Sequence, residues 1–229
     1  MAITYVGKGD FATGNVDTPP APVLPAGIAV HDLLLALFYG EDTVDQVVGI
    51  SPGWTQLYNE RTAGGLLALW YRFMQPGDVA PSFTIGPEFT AGASVAQIAA
   101  WRAVAVGAPN LGSLVTTGPA ADVGPVPAIT FPANSLMLIA GGMLRGIGNA
   151  ADPSPGDVDW HVVDAVSPIG LPFSMEWYYE INGGSPVTPG SQTMIFSAFP
   201  SARGKATMLS FNAGTGFHPA VASNYRRRR

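Results

Sequence analysis

The chain has no cysteine among its 229 residues. Disulfide staples, thiolate nucleophiles and zinc–thiolate centres are therefore excluded. A chain this long can bury about 70% of its unfolded surface, so it does not need staples. Charge is scarce too: 12% of residues are charged, against about 25% in an ordinary soluble domain. Bare surfaces usually need charge for solubility, so much of this surface is expected to be covered by other protein, the alternative being a monomer with a Ser/Thr/Gly/Asn surface. No apolar run approaches the roughly 20 residues of a membrane-spanning helix. The opening MAITYVGKGD lacks the basic-then-apolar layout of a secretory signal, so the expected site of synthesis is the cytoplasm.

Basic residues are few and unevenly placed. The formal net charge is −5, yet Arg226, Arg227, Arg228 and Arg229 stand together at the end. Without those four the body carries seven basic residues against sixteen acidic ones, a net of −9. An acidic body argues against nucleic-acid binding by the folded part. The Arg226–Arg229 run reads either as a solvated end or as a short electrostatic tether to an acidic neighbour, or to nucleic acid during assembly. Exposed ion pairs contribute about 0.2–1 kcal/mol each, so such a tether steers docking without holding a complex alone.

What the chain does have is punctuation. Its 28 Gly and 21 Pro recur without a collagen-like period and break up any long helix. Between them lie short apolar runs. Residues 32–39 (DLLLALFY) form a near-continuous run suited to a strand covered on both faces. Helix is the rival reading there, but Pro25, Gly27 and Gly40 leave little room for one.

Several runs appear twice. Residues 30–39 (VHDLLLALFY) recur in outline as 135–143 (SLMLIAGGM), and 67–73 (LALWYRF) echo in 175–181 (MEWYYEI), with Trp-Tyr shared. Residues 97–104 (QIAAWRAV) recur as 206–213 (ATMLSFNA). The offsets are unequal, which excludes a solenoid. The expected fold is all-β: a jelly-roll-like β-sandwich of roughly a dozen strands with long Gly/Pro-rich loops. Residues 1–22 read as a strand and extended arm. Residues 23–225 read as one sandwich built from two similar strand sets, 23–106 and 128–213, followed by the basic tail 226–229.

Candidate chemistry is thin. There are three histidines (His31, His161 and His218) and no Gly-x-Ser-x-Gly elbow, so no nucleophilic site is selected. Asp157, Asp159 and His161 alternate and would share one face of a strand, a weak divalent-metal candidate beside Asp152. The same stretch, Asp-Pro-Ser-Pro-Gly-Asp, is strong turn chemistry and lacks an EF-hand spacing. Trp70, Trp101 and Trp177 sit inside apolar runs and read as core. Trp54 and Trp160 stand beside turns and are the candidates for ligand contact. No cofactor and no catalytic residue is expected.

One family resemblance follows from the residues. MAITYVGKG, then Pro25-Ala26-Gly27 leading to His31-Asp32-Leu33-Leu34-Leu35, Pro52-Gly53-Trp54-Thr55, Trp70-Tyr71-Arg72 with Pro76-Gly77-Asp78, and 98–104 (IAAWRAV) follow one another in an order that resembles a family of tailed-bacteriophage virion proteins. The likeness covers about residues 2–106. The family usually carries Gly where His31 stands, and a Tyr-Arg-Gly step near Trp101-Arg102-Ala103. The resemblance implies a β-sandwich in a tail-fibre, head-fibre or capsid-decoration component. It also implies a non-enzymatic role in the virion, other capsid or tail subunits as partners, and a homo-oligomer, a trimer being common in phage appendages. A carbohydrate-binding or host-receptor-binding module, reading a surface glycan through Trp54 and Trp160, is the alternative.

Overall fold

The computed structural model describes residues 2–15, 17–40, 48–62, 65–86, 93–117, 122–148, 153–154, 158–166, 168 and 173–214. The described chain is all-β and contains no helix. The first half supplies β1 (Thr4–Lys8), β2 (Ala12–Gly14), β3 (Leu33–Gly40), β4 (Val48–Ile50), β5 (Thr55–Thr62), β6 (Gly65–Phe73), β7 (Phe83–Ile85) and β8 (Ser94–Arg102). The second supplies β9 (Asn110–Leu111), β10 (Val115–Thr117), β11 (Val123–Val126), β12 (Ser135–Gly148), β13 (His161–Val166), β14 (Phe173–Asn182), β15 (Gln192–Met194) and β16 (Phe196–Asn212). Among the described residues there are thus sixteen strands rather than a dozen. Three of the added ones, β9 to β11, are short pairings inside the Gly/Pro-rich stretch 109–127, which lies between the two expected strand sets.

Each half forms one antiparallel sheet. The first runs β1-β8-β3-β6-β5, with β2 also on β8; the second runs β10-β16-β12-β14-β13, with β9 also on β16. The N-terminal residues 1–22 contribute two strands, β1 and β2, which pair with β8 at the edge of the first sheet, where their backbone groups find hydrogen-bond partners.

The two sheets pack face to face through alternate residues. Leu33, Leu35, Leu37 and Tyr39 of β3 point inward with Leu67 and Leu69 of β6. They meet Leu136, Leu138 and Ala140 of β12, Met175 and Trp177 of β14, and Leu209 and Phe211 of β16. The outward residues are buried as well. Leu34, Ala36, Phe38 and Trp70 lie under a β4–β7 ribbon carrying Val48 and Phe83, and under Leu24 and Ile28 of the segment leading into β3. Met137, Ile139 and Tyr178 lie under a β11–β15 ribbon and the loop residues Phe131 and Trp160. Two lids over two sheets explain why all of β3 is buried, and why its sequence shows no polar face.

The registers of the two sheets repeat. Leu33 opposes Phe73 and Trp101; Leu136 opposes Ile181 and Phe211. Bulges fall at matching places, between Gln56 and Tyr58 on β5 and between Val162 and Asp164 on β13. His31 and Asn134, each two residues before its sheet's central Leu, both take left-handed backbone, with φ of 76° and 53°. A glycine at position 31 would meet no steric penalty there. Matching positions show that the shared Trp-Tyr pair is one residue out of step. Trp70-Tyr71 corresponds to Tyr178-Tyr179, so Trp70 faces the outer lid whereas Trp177 faces the other sheet. A one-residue slip in a strand exchanges its faces.

The sheets are related by an approximate twofold axis where β3 crosses β12. There Tyr39 meets its own counterpart, Gly142. A Cβ on Gly142 would lie 2.3 Å from the Tyr39 ring, so this glycine is required by a side chain of the facing sheet. Gly142→Ala is expected to lose about 1–3 kcal/mol by overpacking, measured by urea unfolding. Tyr39→Leu in the same chain should recover part of that loss, as coupled neighbours do.

Candidate functional site

A group of interacting polar side chains lies along one seam of the sandwich, where β1 and β8 stack on β13 and β14. Gln97 stands in the middle of the apolar strand β8 and is fully buried. Its carbonyl oxygen accepts from Trp177 Nε1 at 2.8 Å, across the sheet gap. Its amide nitrogen donates to Gly9 O at 3.0 Å and to Asp164 Oδ2 at 2.5 Å. Lys8 Nζ reaches the same carboxylate oxygen at 2.6 Å, and Ala165 N donates to Asp164 Oδ1. One amide and one carboxylate therefore tie four strands from both sheets. The opposite seam carries a matching but different clasp. Tyr58 OH donates to Gly112 O at 2.5 Å, and buried Lys205 donates to Glu60 O at 2.7 Å.

Outside the first clasp lies an aromatic and acidic rim. Tyr5 stacks on Tyr179 with centroids 4.8 Å apart, and His161 leans on Tyr179 at 5.4 Å. Trp101 packs beneath, edge-on to Trp177 and to Tyr179. His161 Nε2 lies 3.5 Å from Glu180 Oε2, a buried oxygen with no hydrogen-bond partner. Burial raises the Glu180 carboxyl above its ordinary value of 4.5; His161 opposes that shift and Asp159 adds to it. Burial pushes the Tyr5 phenol upward as well, reinforced by Tyr179 and Asp164, and burial then Glu180 raise Tyr179. Phenols held protonated in this way donate hydrogen bonds and stack; they do not serve as bases near neutral pH.

The sequence-derived candidates are distributed differently. Trp160 is 3% exposed, and its indole nitrogen donates to Gln192 Oε1 at 3.2 Å. It is a lid residue of the second sheet and presents no ring face to a ligand, because β11 and β15 close over it. Trp54 is half-buried against the outer face of the first sheet. Asp159 is exposed just before β13, and His161 faces Glu180 rather than an aspartate pair. Asp152, Asp157 and Arg226, Arg227, Arg228 and Arg229 lie outside the described residues. Among the described residues no three His, Asp or Glu side chains are grouped to hold a metal ion. Trp70, Trp101 and Trp177 are core, as their apolar settings predicted.

Sequence reasoning missed Lys8, Gln97, Asp164 and Glu180. A lone Gln within SVAQIAAW was the available signal, since a buried amide demands partners. A cavity of about 500 Å³ also opens at one end of the sandwich, beside Ile3, Asn134, Ile181 and Asn182. Among the described residues its lining includes no ionisable side chain, and the Asn182 amide is already bonded to Pro132 O and Ser185 O.

No protein-family model, curated protein or solved structure matches this chain.

Two measurements check the seam. Asp164→Ala leaves the Gln97 amide and the Lys8 ammonium short of an acceptor, and a loss of about 1–3 kcal/mol is expected in urea melts. Glu180 binds its proton more tightly when folded. Its contribution is therefore most favourable below its ordinary value and is lost as pH rises through the raised one. Glu180→Gln should accordingly gain stability over the parent at pH 7, an advantage that shrinks as pH falls through the carboxylate range.

Proposed function

We propose that this chain is a non-enzymatic structural component of a tailed-bacteriophage virion, exposed on the head or tail and acting through contacts with other virion subunits. The observation that carries the reading is apolar exposure on a charge-poor surface. Val79 is 78% exposed and Val106 69%, and Val23, Phe11 and Leu111 are exposed on turns and edges. Only 12% of the residues are charged. Such side chains gain most when another protein covers them. The buried polar groups of the seams support the same reading from the other side: they are spent on clasping two sheets, which makes a rigid body rather than a reaction centre. The order of turn and strand motifs over residues 2–106 supplies the virion context.

A glycan-binding module has weaker support, because one of its two ring candidates, Trp160, is enclosed. The Arg226–Arg229 run remains the candidate tether to an acidic subunit.

The test is to image purified particles at a resolution that traces the chain. Ordered density for this sandwich on the head or tail, with Val79 or Val106 under a neighbouring subunit, is the expected result. A chain recovered only from lysate supernatant, and never from particles, defeats the proposal.

A further inference from the structure

The inner face of each half is a docking surface shaped for the other half, and only a short link joins them. Val104 and Ala213 form an antiparallel bridge at the ends of β8 and β16, with Ala105 N donating to Asn212 O and Gly214 N to Ala103 O. The second half begins at Asn110, whose strand pairs with β16. Between them lie residues 106–109, Val-Gly-Ala-Pro. Val106 is exposed, and a Cβ on Gly107 would touch nothing within 4 Å. Ala103, just before, is held in left-handed backbone with φ of 62°, which is strained for a residue with a Cβ. The link is exposed, glycine-bearing and next to stored strain.

The clasps run between the halves. Lys8 to Asp164, Gln97 to Trp177 and Asp164, Tyr58 to Gly112, and Lys205 to Glu60 all join residues before 105 to residues after 109. The match is also directional. Tyr39 fits Gly142, so two first halves would clash at the axis and two second halves would leave a void there.

We propose that a second copy of this chain can dock by exchanging halves: the link opens, and the first half of each copy closes on the second half of the other. The product is a closed twofold dimer that keeps every inter-sheet contact and changes only the path of residues 106–109. Closure within one chain is favoured by an effective concentration in the millimolar range, so exchange becomes competitive when chains are crowded at that level. This does not depend on the virion assignment.

The absence of native cysteine makes the test clean. The Val104–Ala213 bridge is of the non-hydrogen-bonded kind, with Cα atoms about 4.5 Å apart, within disulfide reach. The full-length variant Val104→Cys/Ala213→Cys is unfolded, refolded at micromolar and at millimolar concentration, and oxidised. Sizing with light scattering and non-reducing gels then report the product. Expected are a disulfide-closed monomer from dilute refolding, and mainly disulfide-linked dimer with the same β-rich circular dichroism from concentrated refolding. A second full-length variant lacking Gly107 and Ala108 should shift to dimer at lower concentration, because the shortened link closes less readily on its own chain. Folded monomer at every concentration, with the bond always intramolecular, overturns the proposal. Dimers without the intermolecular bond overturn it too, since they would use another surface. If the shortened variant does not fold, the concentration series on the cysteine pair decides alone.

Discussion

The structure depends on the crossing of β3 and β12, where the two inner faces are pressed together. An aromatic ring of one sheet lies against the bare backbone of the other at Tyr39 and Gly142, and the sheets can approach closely there only because one side has no side chain. Leu and Ala fill the rest of the contact, and burial of that apolar area is the main force holding the halves. The four-layer arrangement follows. Once the inner faces are fixed by this contact, the outer faces of both central strands still need cover, and the two small ribbons with their loops provide it.

The polar groups inside the layer have a different task. Gln97, Asp164 and Lys8 on one seam, and Tyr58, Lys205 and backbone oxygens on the other, contribute less than the apolar area does. They set how one sheet lies on the other, because a buried amide or ammonium displaced from its partner loses its hydrogen bond and remains out of water. The twofold repeat of backbone positions with unlike side chains, amide and carboxylate at one seam and phenol and ammonium at the other, lets each half recognise its complement rather than itself.

Much of this was legible in order but not in register. The double set of strands, the three core tryptophans and the strand rather than helix at 33–40 follow from apolar runs bounded by Gly and Pro. The shared Trp-Tyr pair looked like one landmark and was two, because Trp70 and Trp177 face opposite layers. The ligand reading of Trp160 failed for a related reason: a tryptophan beside a turn is exposed only if nothing folds over it, and the covering strand β15 begins some thirty residues later at Gln192. The seam was nearly invisible, since Lys8, Gln97 and Asp164 are far apart in the chain and each is unremarkable alone.

Short alternating runs and frequent chain reversals determined, without any coordinates, that this protein is built of strands in packed layers and has no cysteine chemistry. That much is local: a few residues and their turn formers settle it. Which face of each strand is inner, which tryptophan is roofed over, and which amide meets which carboxylate were decided only by the tertiary structure. The repeat along a strand is two residues long, so a single step of pairing reverses every face, and only the neighbouring strand and the sheet beyond it set that step.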